Sequence, residues 1–309
     1  MASDRPLLIV NPRSGGGLSQ SKWASLAGAI AKGLGAFDTR MTEHQNHAQQ
    51  IAREAALEGR HLVVAVGGDG TLNEVVNGLM EAGAPATTEL ALLPRGTGGD
   101  FRRTIGFPED LVKASHHIAL AKAGAVDVGL VHYTAENGGQ VSRHFINVSS
   151  FGFSAAVAQK ANASTKRLGA RVAFLGATAR TVFTYDKVDV EITMDDAQPV
   201  RRTVLLGALG NGRFFGGGMK ICPEAMLNNG SLHLVVVGDV SLPSLGLNLH
   251  RLYSGTHLSI ARVEHQHPKR VHIAPSTGQK PVTIEVDGET PGTLPATWEI
   301  LPGALMMRI

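Results

Sequence analysis

The chain has 309 residues, of which 43% are hydrophobic, so it is long enough to form one large domain or two ordinary ones with a sizeable core. Only 5% of the residues are aromatic and the net charge is +3, which argues against base stacking and against nucleic acid as a partner. No apolar stretch reaches the roughly 18 residues of a membrane span, and residues 1–10 lack the pattern of a signal or transit peptide. The single cysteine, Cys222, excludes an internal disulfide, so we expect a cytoplasmic protein whose mild positive charge favours contact with an anionic membrane surface.

Residues 1–128 alternate between strand and helix patterns. The predicted strands are Leu7–Val10, Phe37–Met41, Leu62–Val66 and Leu90–Leu93. The predicted helices are Ser21–Leu34, His47–Leu57, Thr71–Met80 and Leu111–Ala121. Thr71 and Glu74 have the spacing of a capping box at the start of the third helix. Continuous apolar strands that alternate with helices indicate an α/β domain, a Rossmann-like parallel sheet with helices on both faces, whose ligands bind at the carboxyl ends of the strands.

From about residue 129 strand patterns dominate. The candidate strands are His144–Ser149, Lys187–Met194, Val200–Leu209, Ser231–Val237, Arg270–Ala274, Val282–Val286 and Thr297–Ile300. Asp195-Asp196 fits a hairpin turn, and helices are expected at Ser164–Tyr185 and around Ser244–Ser254. The helix expected at Ser164–Tyr185 carries arginines among apolar residues. It could therefore lie against a membrane, or it could be an ordinary amphipathic helix that packs on the protein. The simplest interpretation of residues 129–290 is a β-rich domain of the sandwich type.

The most informative segment is the glycine cluster Gly67–Gly70, which follows a predicted buried strand and precedes a helix. Glycines let backbone N–H groups approach an anion closely, and the helix presents its positive end to that anion. Asp69 stands in the middle of the cluster, and a carboxylate repels phosphate unless a cation lies between them. The segment predicts a phosphate site in which Mg²⁺ takes part, although Asp69 could instead be a simple helix cap.

Two more glycine loops follow predicted strands, at Asn11–Gly17 and Gly96–Phe101. In the second loop Thr97 could contact phosphate or ribose, and Asp100 could help to place the acceptor or the metal. Each segment could also be an ordinary strand-to-helix loop. Neither is a Walker loop, because no Gly-Lys-Ser/Thr occurs in the chain. Since the carboxyl ends of parallel strands share one edge of the sheet, we expect the three loops to lie together.

Three acids, Glu285, Asp287 and Glu289, fall within five residues at the end of a predicted strand. The pair Asp287-Gly288 is typical of a hairpin turn, and in isolation that would be a sufficient explanation. A carboxylate in this turn could also accept the proton of a hydroxyl group.

The chain contains thirteen histidines, which raises the question of a zinc site. His116 and His117 are adjacent, and His265 and His267 lie two apart in a predicted loop. Neither pair joins a second cluster at the spacing of zinc ligands, so we expect these histidines to be solvated or structural.

Together these segments resemble the diacylglycerol kinase catalytic-domain superfamily, which includes bacterial lipid kinases, sphingosine kinases and ceramide kinases. Gly67–Glu74 is similar to its nucleotide loop, Asn11–Gly17 to its Asn-Pro-x-Ser-Gly loop and Gly96–Phe101 to its Gly-Thr-x-Asn-Asp-Phe motif. Later blocks follow in the expected order at Asn147–Phe153, Gly210–Gly218, Cys222–Leu234 and Glu285–Glu289. The resemblance implies an N-terminal domain similar to phosphofructokinase and NAD kinase (1–128), a C-terminal β-sandwich (129–290), a return of about 291–309 to the first domain, and an active site in the cleft between the two.

The resemblance also implies roles for individual residues. The implied ATP contacts are Asn11, Ser14, Gly15, Thr42, Gly67, Gly68, Asp69, Gly70, Thr71, Asn73 and Thr97. Asp69 and Asp127 would hold the catalytic Mg²⁺, and Asp100 would help to position the substrate. Asp287 or Glu289 would act as the catalytic base, and the sequence does not separate the two.

Two positions depart from the family pattern. Gly99 stands where the family usually has asparagine, so one amide contact is missing. Asn229 replaces an aspartate that helps to bind a structural Mg²⁺ in some members, and a neutral amide oxygen binds a metal more weakly. The backbone carbonyls of Met226 and Ser231 remain candidate ligands of such a weakened site.

The implied activity is the ATP-dependent transfer of a γ-phosphate to a primary hydroxyl of a lipid such as diacylglycerol, ceramide or a sphingoid base. The expected cofactors are ATP and Mg²⁺. The expected partner is a lipid at a membrane surface, with which the protein would associate peripherally, and the protein could also form a homodimer. One alternative is an NAD kinase-like small-molecule kinase. The other is a lipid- or nucleotide-binding protein that has lost catalysis.

Overall fold

The computed structural model describes residues 5–83, 87–96, 99–135, 137–163, 186–240 and 242–309. The chain divides into two compact units, one formed by Met1–Asp127 with Gly303–Ile309 and the other by Val128–Pro302. Thr97 and the predicted helix Ser164–Tyr185 lie outside the described residues. Within those residues, no helix is both long enough and apolar enough to span a membrane.

The first unit contains a parallel sheet in the order β15–β4–β3–β1–β2. Its strands are β1 (Leu7–Val10), β2 (Asp38–Met41), β3 (Leu62–Gly67), β4 (Glu89–Pro94) and the end of β15 (Glu289–Arg308). Its helices are α1 (Gln20–Leu34), α2 (His47–Leu57), α3 (Asp69–Glu81), α4 (Asp100–Ile105) and α5 (Leu111–Leu120). This arrangement confirms the α/β domain that the alternating sequence pattern predicts.

Both faces of this sheet are buried. Every residue of β1 and of β3 is buried, which requires cover on both sides because successive strand side chains point to opposite faces. Ile30 of α1 and Ile118 of α5 pack in one core with Leu8 and Val64, and α2 packs against α3. The last residues of the chain extend the sheet beside β4, where Met306 pairs with Glu89.

The predicted capping box at Thr71 and Glu74 is wrong. Helix α3 begins at Asp69, two residues earlier than predicted, and its N-cap is Gly68, which has an extended backbone and no side-chain cap. Thr71 therefore lies inside the helix. The Glu74 carboxylate instead accepts hydrogen bonds from the backbone N–H groups of Asn46 and Ala48, both at 3.1 Å, so it caps α2.

The second unit is a β-sandwich built from antiparallel strands. Its strands are β5 (Ala123–Ala135), β6 (Gln140–Phe145), β7 (Val148–Gly152), β8 (Val188–Met194), β9 (Val200–Val204), β10 (Leu206–Gly210), β11 (His233–Val237), β12 (Val263–Gln266), β13 (Arg270–Pro275), β14 (Thr283–Val286) and β15. One sheet has the order β12–β11–β10–β7–β14–β15, and β15 also pairs with β13 and β5 of the other. Among the described residues of this unit, helices α6 (Phe153–Ala163) and α7 (Leu242–Ser254) are the other long elements. The main core of the unit surrounds the fully buried Trp298.

Two predicted single strands are each divided in the structure. Val200–Leu209 becomes β9 and β10, because β9 pairs with β8 whereas β10 pairs with β7 and β11, and the chain changes sheets at Leu205. His144–Ser149 is divided between β6 and β7, because the N–H groups of Ile146 and Asn147 donate to a side chain, Asp287, and to no neighbouring strand.

The long strand β15 was predicted only as Thr297–Ile300. The sequence also predicts a return to the first domain from about residue 291, whereas the segment that joins the first unit is Gly303–Ile309. The difference follows from strand pairing, because Thr293 pairs with β14, and Trp298 with β13, in the second unit.

Candidate functional site

The three glycine loops are hydrogen-bonded to one another at the carboxyl ends of β1, β3 and β4. The backbone N–H of Asn11 donates to the carbonyl of Val66 at 3.1 Å, and that of Arg95 donates to the carbonyl of Gly67 at 2.7 Å. The side-chain amide of Asn11 donates to the hydroxyl of Thr71 at 3.0 Å. The expected convergence of the loops is therefore present, and Asn11 and Thr71 fix one loop against the other.

Two glycines are required by close contacts in the second and third loops. A Cβ atom on Gly96 would lie 2.8 Å from the Cα of Gly68, closer than real Cβ contacts allow. A Cβ on Gly67 would lie 2.4 Å from the Thr71 hydroxyl oxygen. Gly96 thus permits a close approach of the two loop backbones and Gly67 leaves room for the Thr71 side chain, which are physical reasons for these glycines besides phosphate binding.

Arg95 holds the first loop, and the sequence analysis gave it no role. Its guanidinium donates to the carbonyl oxygens of Ser14 and Gly17, the latter at 2.8 Å. Burial lowers the pKa of Arg95 from its ordinary value. Its position directly after a buried strand, in a glycine loop, is the signal that could have identified it.

Asp69 caps the short helix α4. One carboxylate oxygen accepts the N–H of Asp100 and the other accepts the N–H of Phe101, both at 3.1 Å. The carboxylate thereby ties the second loop to the third. Asp100 is buried, and its own carboxylate accepts a hydrogen bond from Arg103 at 2.8 Å.

Gly99, the first departure from the family pattern, has a left-handed backbone with φ of 61° at the N-cap of α4. Asparagine is the side-chain-bearing residue that adopts this conformation most readily. Glycine at this position therefore keeps the backbone shape that an asparagine would have, while the amide side chain is lost.

Two other predicted ATP contacts, Thr42 and Asn73, are buried in the first unit. Thr42 follows β2, and its N–H donates to the carbonyl of Val10 at 2.9 Å. Asn73 lies in α3 and accepts a hydrogen bond from the side chain of Asn77 at 3.2 Å. Their contact with a nucleotide stays a prediction.

Asp127 is buried in the first unit, and one of its carboxylate oxygens accepts the N–H of Gly303 at 2.8 Å. Gly303 has a left-handed backbone with φ of 58°. This bond fixes the start of the returning segment. Asp127 thus has a structural role in addition to the metal-binding role that the family resemblance implies.

The acidic turn of the second unit is a tight hairpin between β14 and β15. Asp287 and Gly288 have φ of 46° and 93°, which is typical of the left-handed residues of a two-residue hairpin turn. The Asp287 carboxylate accepts three backbone N–H groups, from Ile146, Asn147 and Val148, at 3.0 to 3.1 Å. The side chain is therefore held rigidly, whereas Glu289 is exposed at the start of β15.

A third acid of this turn, Glu285, lies in a buried polar network. Its carboxylate accepts hydrogen bonds from the Ser150 hydroxyl and the Gly288 N–H, and its carbonyl accepts the Ser149 hydroxyl at 2.6 Å. The Trp298 indole donates to that same Ser149 hydroxyl at 2.8 Å. In the sequence Glu285 stands out only as one of three neighbouring acids, because its burial depends on strands far apart in the chain.

The candidate structural metal ligands lie in a turn between residues 224 and 233. The Asn229 side-chain oxygen accepts the N–H of Ser231 at 3.1 Å, which is a local turn contact. The side chains of Met226 and Asn229 are exposed. Metal binding by Met226, Asn229 and Ser231 stays a prediction.

The first unit fits the phosphates of a nucleotide. A Cβ on Gly16, Gly17 or Gly70 would have no atom within 4 Å, so the backbone is open to an incoming group there. The first turn of α3 leaves its N–H groups without partners inside the helix, and its positive end favours an anion. In the described chain, Asp69, Asp100 and Asp127 do not form a group of three carboxylates close enough to share an ion, so Mg²⁺ would take most of its ligands from phosphate and water.

A parallel α/β unit with glycine loops gathered at the carboxyl ends of its strands defines a nucleotide-phosphate-binding class of protein. Residues 5–131 match the diacylglycerol kinase catalytic domain, and residues 147–309 match the YegS C-terminal NAD kinase beta sandwich-like domain. The chain therefore belongs to the diacylglycerol kinase family of lipid kinases, which are phosphotransferases.

Similar proteins cover nearly the whole chain. A protein named diacylglycerol kinase from Staphylococcus carnosus (strain TM300) is 30% identical over 95% of this chain and 91% of its own length. A protein named "Probable lipid kinase YegS-like" from Xanthomonas axonopodis pv. citri (strain 306) is 30% identical over 100% of this chain and 97% of its own. A crystal structure of a diacylglycerol kinase from Bacillus anthracis str. Sterne matches with a TM-score of 0.73 at 24% identity, over 99% of this chain and 96% of that one, which supports the fold.

Proposed function

We propose that this protein transfers the γ-phosphoryl group of ATP to the primary hydroxyl of a lipid, with diacylglycerol as the first candidate substrate. The observation that carries the proposal is that the side chains of Asn11, Asp69 and Arg95 hydrogen-bond the three glycine loops to one another. The chain that holds these loops belongs to the lipid kinase family. Phosphoryl transfer depends on positioning and on neutralising charge more than on covalent chemistry by the protein, and such a preorganised backbone supplies positioning.

In the proposed step, the bond between the γ-phosphorus and the oxygen that bridges it to the β-phosphate breaks. A bond forms between the lipid hydroxyl oxygen and the γ-phosphorus, and the hydroxyl proton passes to a carboxylate of the acidic turn. ADP leaves with the electron pair of the broken bond. The transition state of this reaction is loose, so the carboxylate orients the hydroxyl more than it activates it.

Of the two candidate bases in the turn, Asp287 and Glu289, we favour Asp287 as the proton acceptor. A group that positions a substrate must itself be held in place, and three backbone N–H groups hold the Asp287 carboxylate. Glu289 is exposed, and no comparable set of backbone N–H groups holds its carboxylate among the residues that the structure describes. Replacing Asp287 would also release the turn at residues 146–148, so its replacement by asparagine is a cleaner test than alanine.

ATP and Mg²⁺ are the proposed cofactors. The backbone N–H groups around Gly67–Gly70 and Ser14–Gly17 would bind the phosphates, and Asp69 would orient the metal. Mg²⁺ would neutralise charge on the transferring phosphoryl group when it is bound. The protein is proposed to bind a membrane peripherally in order to reach its lipid substrate, a role for which its net charge of +3 is favourable.

The test is a panel of hydroxyl acceptors incubated with the full chain, ATP and Mg²⁺, read by the mass of the phosphorylated product. The panel contains diacylglycerol, ceramide, sphingosine and NAD, each presented separately. A phosphorylated lipid supports the proposal, whereas NADP as the single product would favour the NAD kinase alternative. Binding of ATP and lipid with no product would favour the inactive binding protein.

A further inference from the structure

Three histidine side chains of the second unit converge on one carboxylate oxygen of Glu224. Glu224 Oε2 lies 3.9 Å from His233 Nε2, 3.5 Å from His265 Nδ1 and 3.6 Å from His267 Nε2. The rings of His233 and His267 are stacked, with centroids 4.6 Å apart. Three histidines that show no common spacing in the sequence therefore lie together in the folded chain, and whether they are structural or bind a metal stays open to test.

Strand pairing brings these residues together. Strands β11 and β12 are antiparallel, with Leu234 opposite Gln266 and Val235 opposite His265, so His233 and His267 lie opposite each other at the next position. Successive side chains of a strand point to opposite faces, so His265 and His267 share the face of His233. Glu224 reaches that face from the turn that precedes β11. His233 and His267 lie 34 positions apart in the sequence, which is why ligand spacing alone does not reveal the cluster.

Two nitrogens of the cluster are buried without a hydrogen-bond partner among the described residues. His233 is fully buried, and neither its Nε2 nor Nδ1 of His265 has a hydrogen-bond partner within the described part of the chain. A buried polar atom left without a partner costs about 1–3 kcal/mol, so such atoms need an explanation.

The Nδ1 atom of His233 faces the backbone of the preceding turn. The backbone N–H of Glu224 donates to this Nδ1 at 3.3 Å, and in that tautomer Nε2 carries the ring proton and points it towards Glu224. A metal at Nε2 requires the other tautomer, in which Nδ1 carries the proton, as in ligating histidines that donate their other N–H to a backbone carbonyl. The first tautomer makes the cluster a purely structural one, and metal titration distinguishes the two.

We propose that Glu224, His233 and His267 bind a zinc ion, with His265 beside them as a fourth ligand. Ligand atoms of the first three residues all lie within 4.8 Å of one another. A tetrahedral ion with bonds of about 2.0–2.1 Å needs neighbouring ligand atoms about 3.3 Å apart, so small side-chain rotations close the site. Imidazole with one carboxylate is a donor set that suits Zn²⁺, whereas Mg²⁺ prefers oxygen alone.

This site would tie the turn that contains Asn229 to strand β12. Glu224 and His233 flank that turn on either side, and His267 follows β12. Asn229 would weaken an oxygen site in the turn, and a zinc ion held by the flanking residues would restrain the same segment. The role is structural and is independent of the proposed kinase activity.

The experiment is a calorimetric titration of the chelator-treated full chain with ZnCl₂. The variants are Glu224→Gln and His267→Ala, whose side chains are 49% and 38% exposed, so neither leaves a buried cavity. The matched control is His250→Ala, at an exposed histidine of α7. We expect one Zn²⁺ per chain in the wild type and the control, and affinity lower by at least about tenfold in both variants. Co²⁺ in place of Zn²⁺ should give the visible spectrum of a tetrahedral nitrogen and oxygen site.

Melting curves provide a second measurement on the same proteins. An ion that binds only the folded chain raises its melting temperature, so Zn²⁺ should raise it in the wild type and the control but much less in the two variants. Variants that melt like the wild type without metal are folded. The proposal is overturned if the wild type binds no Zn²⁺ saturably, or if folded Glu224→Gln and His267→Ala proteins bind it as tightly as His250→Ala.

Discussion

The carboxylate of Asp69 accepts a hydrogen bond from the backbone N–H of Asp100 at 3.1 Å. This bond joins the Gly67–Gly70 loop to the start of helix α4 in the third glycine loop. The N–H of Phe101 binds the other oxygen. Asp69 thus agrees with both interpretations that the sequence allowed for it. It is a helix cap, although of α4 and not of the helix in which it lies, and it remains the candidate that orients the metal.

Replacing Asp69 by alanine should abolish turnover and lower the free energy of unfolding by about 0.5–2 kcal/mol, the usual cost of losing a cap. Asp69→Asn keeps one oxygen that can accept a hydrogen bond but places its NH₂ group against the second backbone N–H. We therefore expect this variant to lose less stability than Asp69→Ala and to lose as much activity. Steady-state kinetics and urea unfolding measure the two effects. Asp110→Ala is the matched control, because Asp110 caps α5 through the N–H of Lys113 at 2.9 Å. Activity in Asp69→Ala equal to that of the control would remove Asp69 from the site.

Gly96→Ala should reduce activity strongly, since the added Cβ would meet the Cα of Gly68 at 2.8 Å and force the two loops apart. Overpacking of this kind costs roughly 1–3 kcal/mol of stability. The control is Gly28→Ala in α1, where a Cβ meets nothing within 4 Å and should stabilise the helix by up to about 1 kcal/mol. Thermal unfolding measures the change in stability, and the KM for ATP measures the effect of the displaced loops on the enzyme. A Gly96→Ala enzyme with unchanged KM and stability would contradict the close contact.

Asp287→Asn and Glu289→Gln separate the two candidates for the base. Asparagine tolerates the left-handed backbone of position 287, where φ is 46°, so the hairpin should form and kcat should fall by a factor of 100 or more, on the order of general-base contributions. Glu289→Gln should retain most of the activity because Glu289 is exposed. The measurement is kcat against pH for both variants, with circular dichroism as the check on folding. Full activity in Asp287→Asn together with loss in Glu289→Gln would transfer the role to Glu289.

Glu74→Ala should destabilise the first unit by about 0.5–2 kcal/mol, because the carboxylate caps α2 through the N–H groups of Asn46 and Ala48. Glu81→Ala is the control at the other end of α3, where an exposed carboxylate accepts from Gln49 and the effect should stay within about 0.5 kcal/mol. Urea unfolding compares the two. Equal stability of both variants would mean that the capping contact contributes nothing.

Stability should fall as the pH drops below about 6.5, the ordinary pKa of histidine. Burial, and then the charge of His132, lowers the pKa of His144 in the folded protein. Between the unfolded and the folded pKa, the unfolded chain binds a proton that the folded chain does not, so protonation favours unfolding. Urea unfolding at pH 7.5 and 5.5 should show a smaller loss in His144→Gln than in the wild type. The same loss in both proteins would assign the effect to other groups.

The sequence predicted the elements that local patterns determine. β1 and α2 have the predicted bounds, and most other strands and helices of the first unit differ by one or two residues, because each carries its own periodicity and turn residues. The glycine loops could likewise be located, because glycine clusters after buried strands are local signals. The role of Asp69 as a cap of α4 could not, since its partner Asp100 lies 31 residues away.

Contacts between distant strands account for what the sequence did not reveal. The division of Val200–Leu209 at Leu205 depends on which strands lie on either side of β9 and β10. The burial of Glu285 depends on Ser149, Ser150 and Trp298, which come from β7 and β15. The histidine cluster depends on the register of β11 and β12. No pattern within a single segment of the chain encodes these pairings.

The central claim is the transfer of the γ-phosphoryl group to a lipid hydroxyl, and the most direct measurement follows that group itself. ATP carrying ¹⁸O on the γ-phosphoryl group is incubated with the wild-type protein, Mg²⁺ and diacylglycerol in mixed micelles, and the lipid is analysed by mass spectrometry. The account predicts a phosphorylated lipid that carries the label, with product lost in Asp69→Ala and Asp287→Asn and retained in Asp110→Ala. Label found only in inorganic phosphate, or equal lipid phosphorylation in all four proteins, would contradict it.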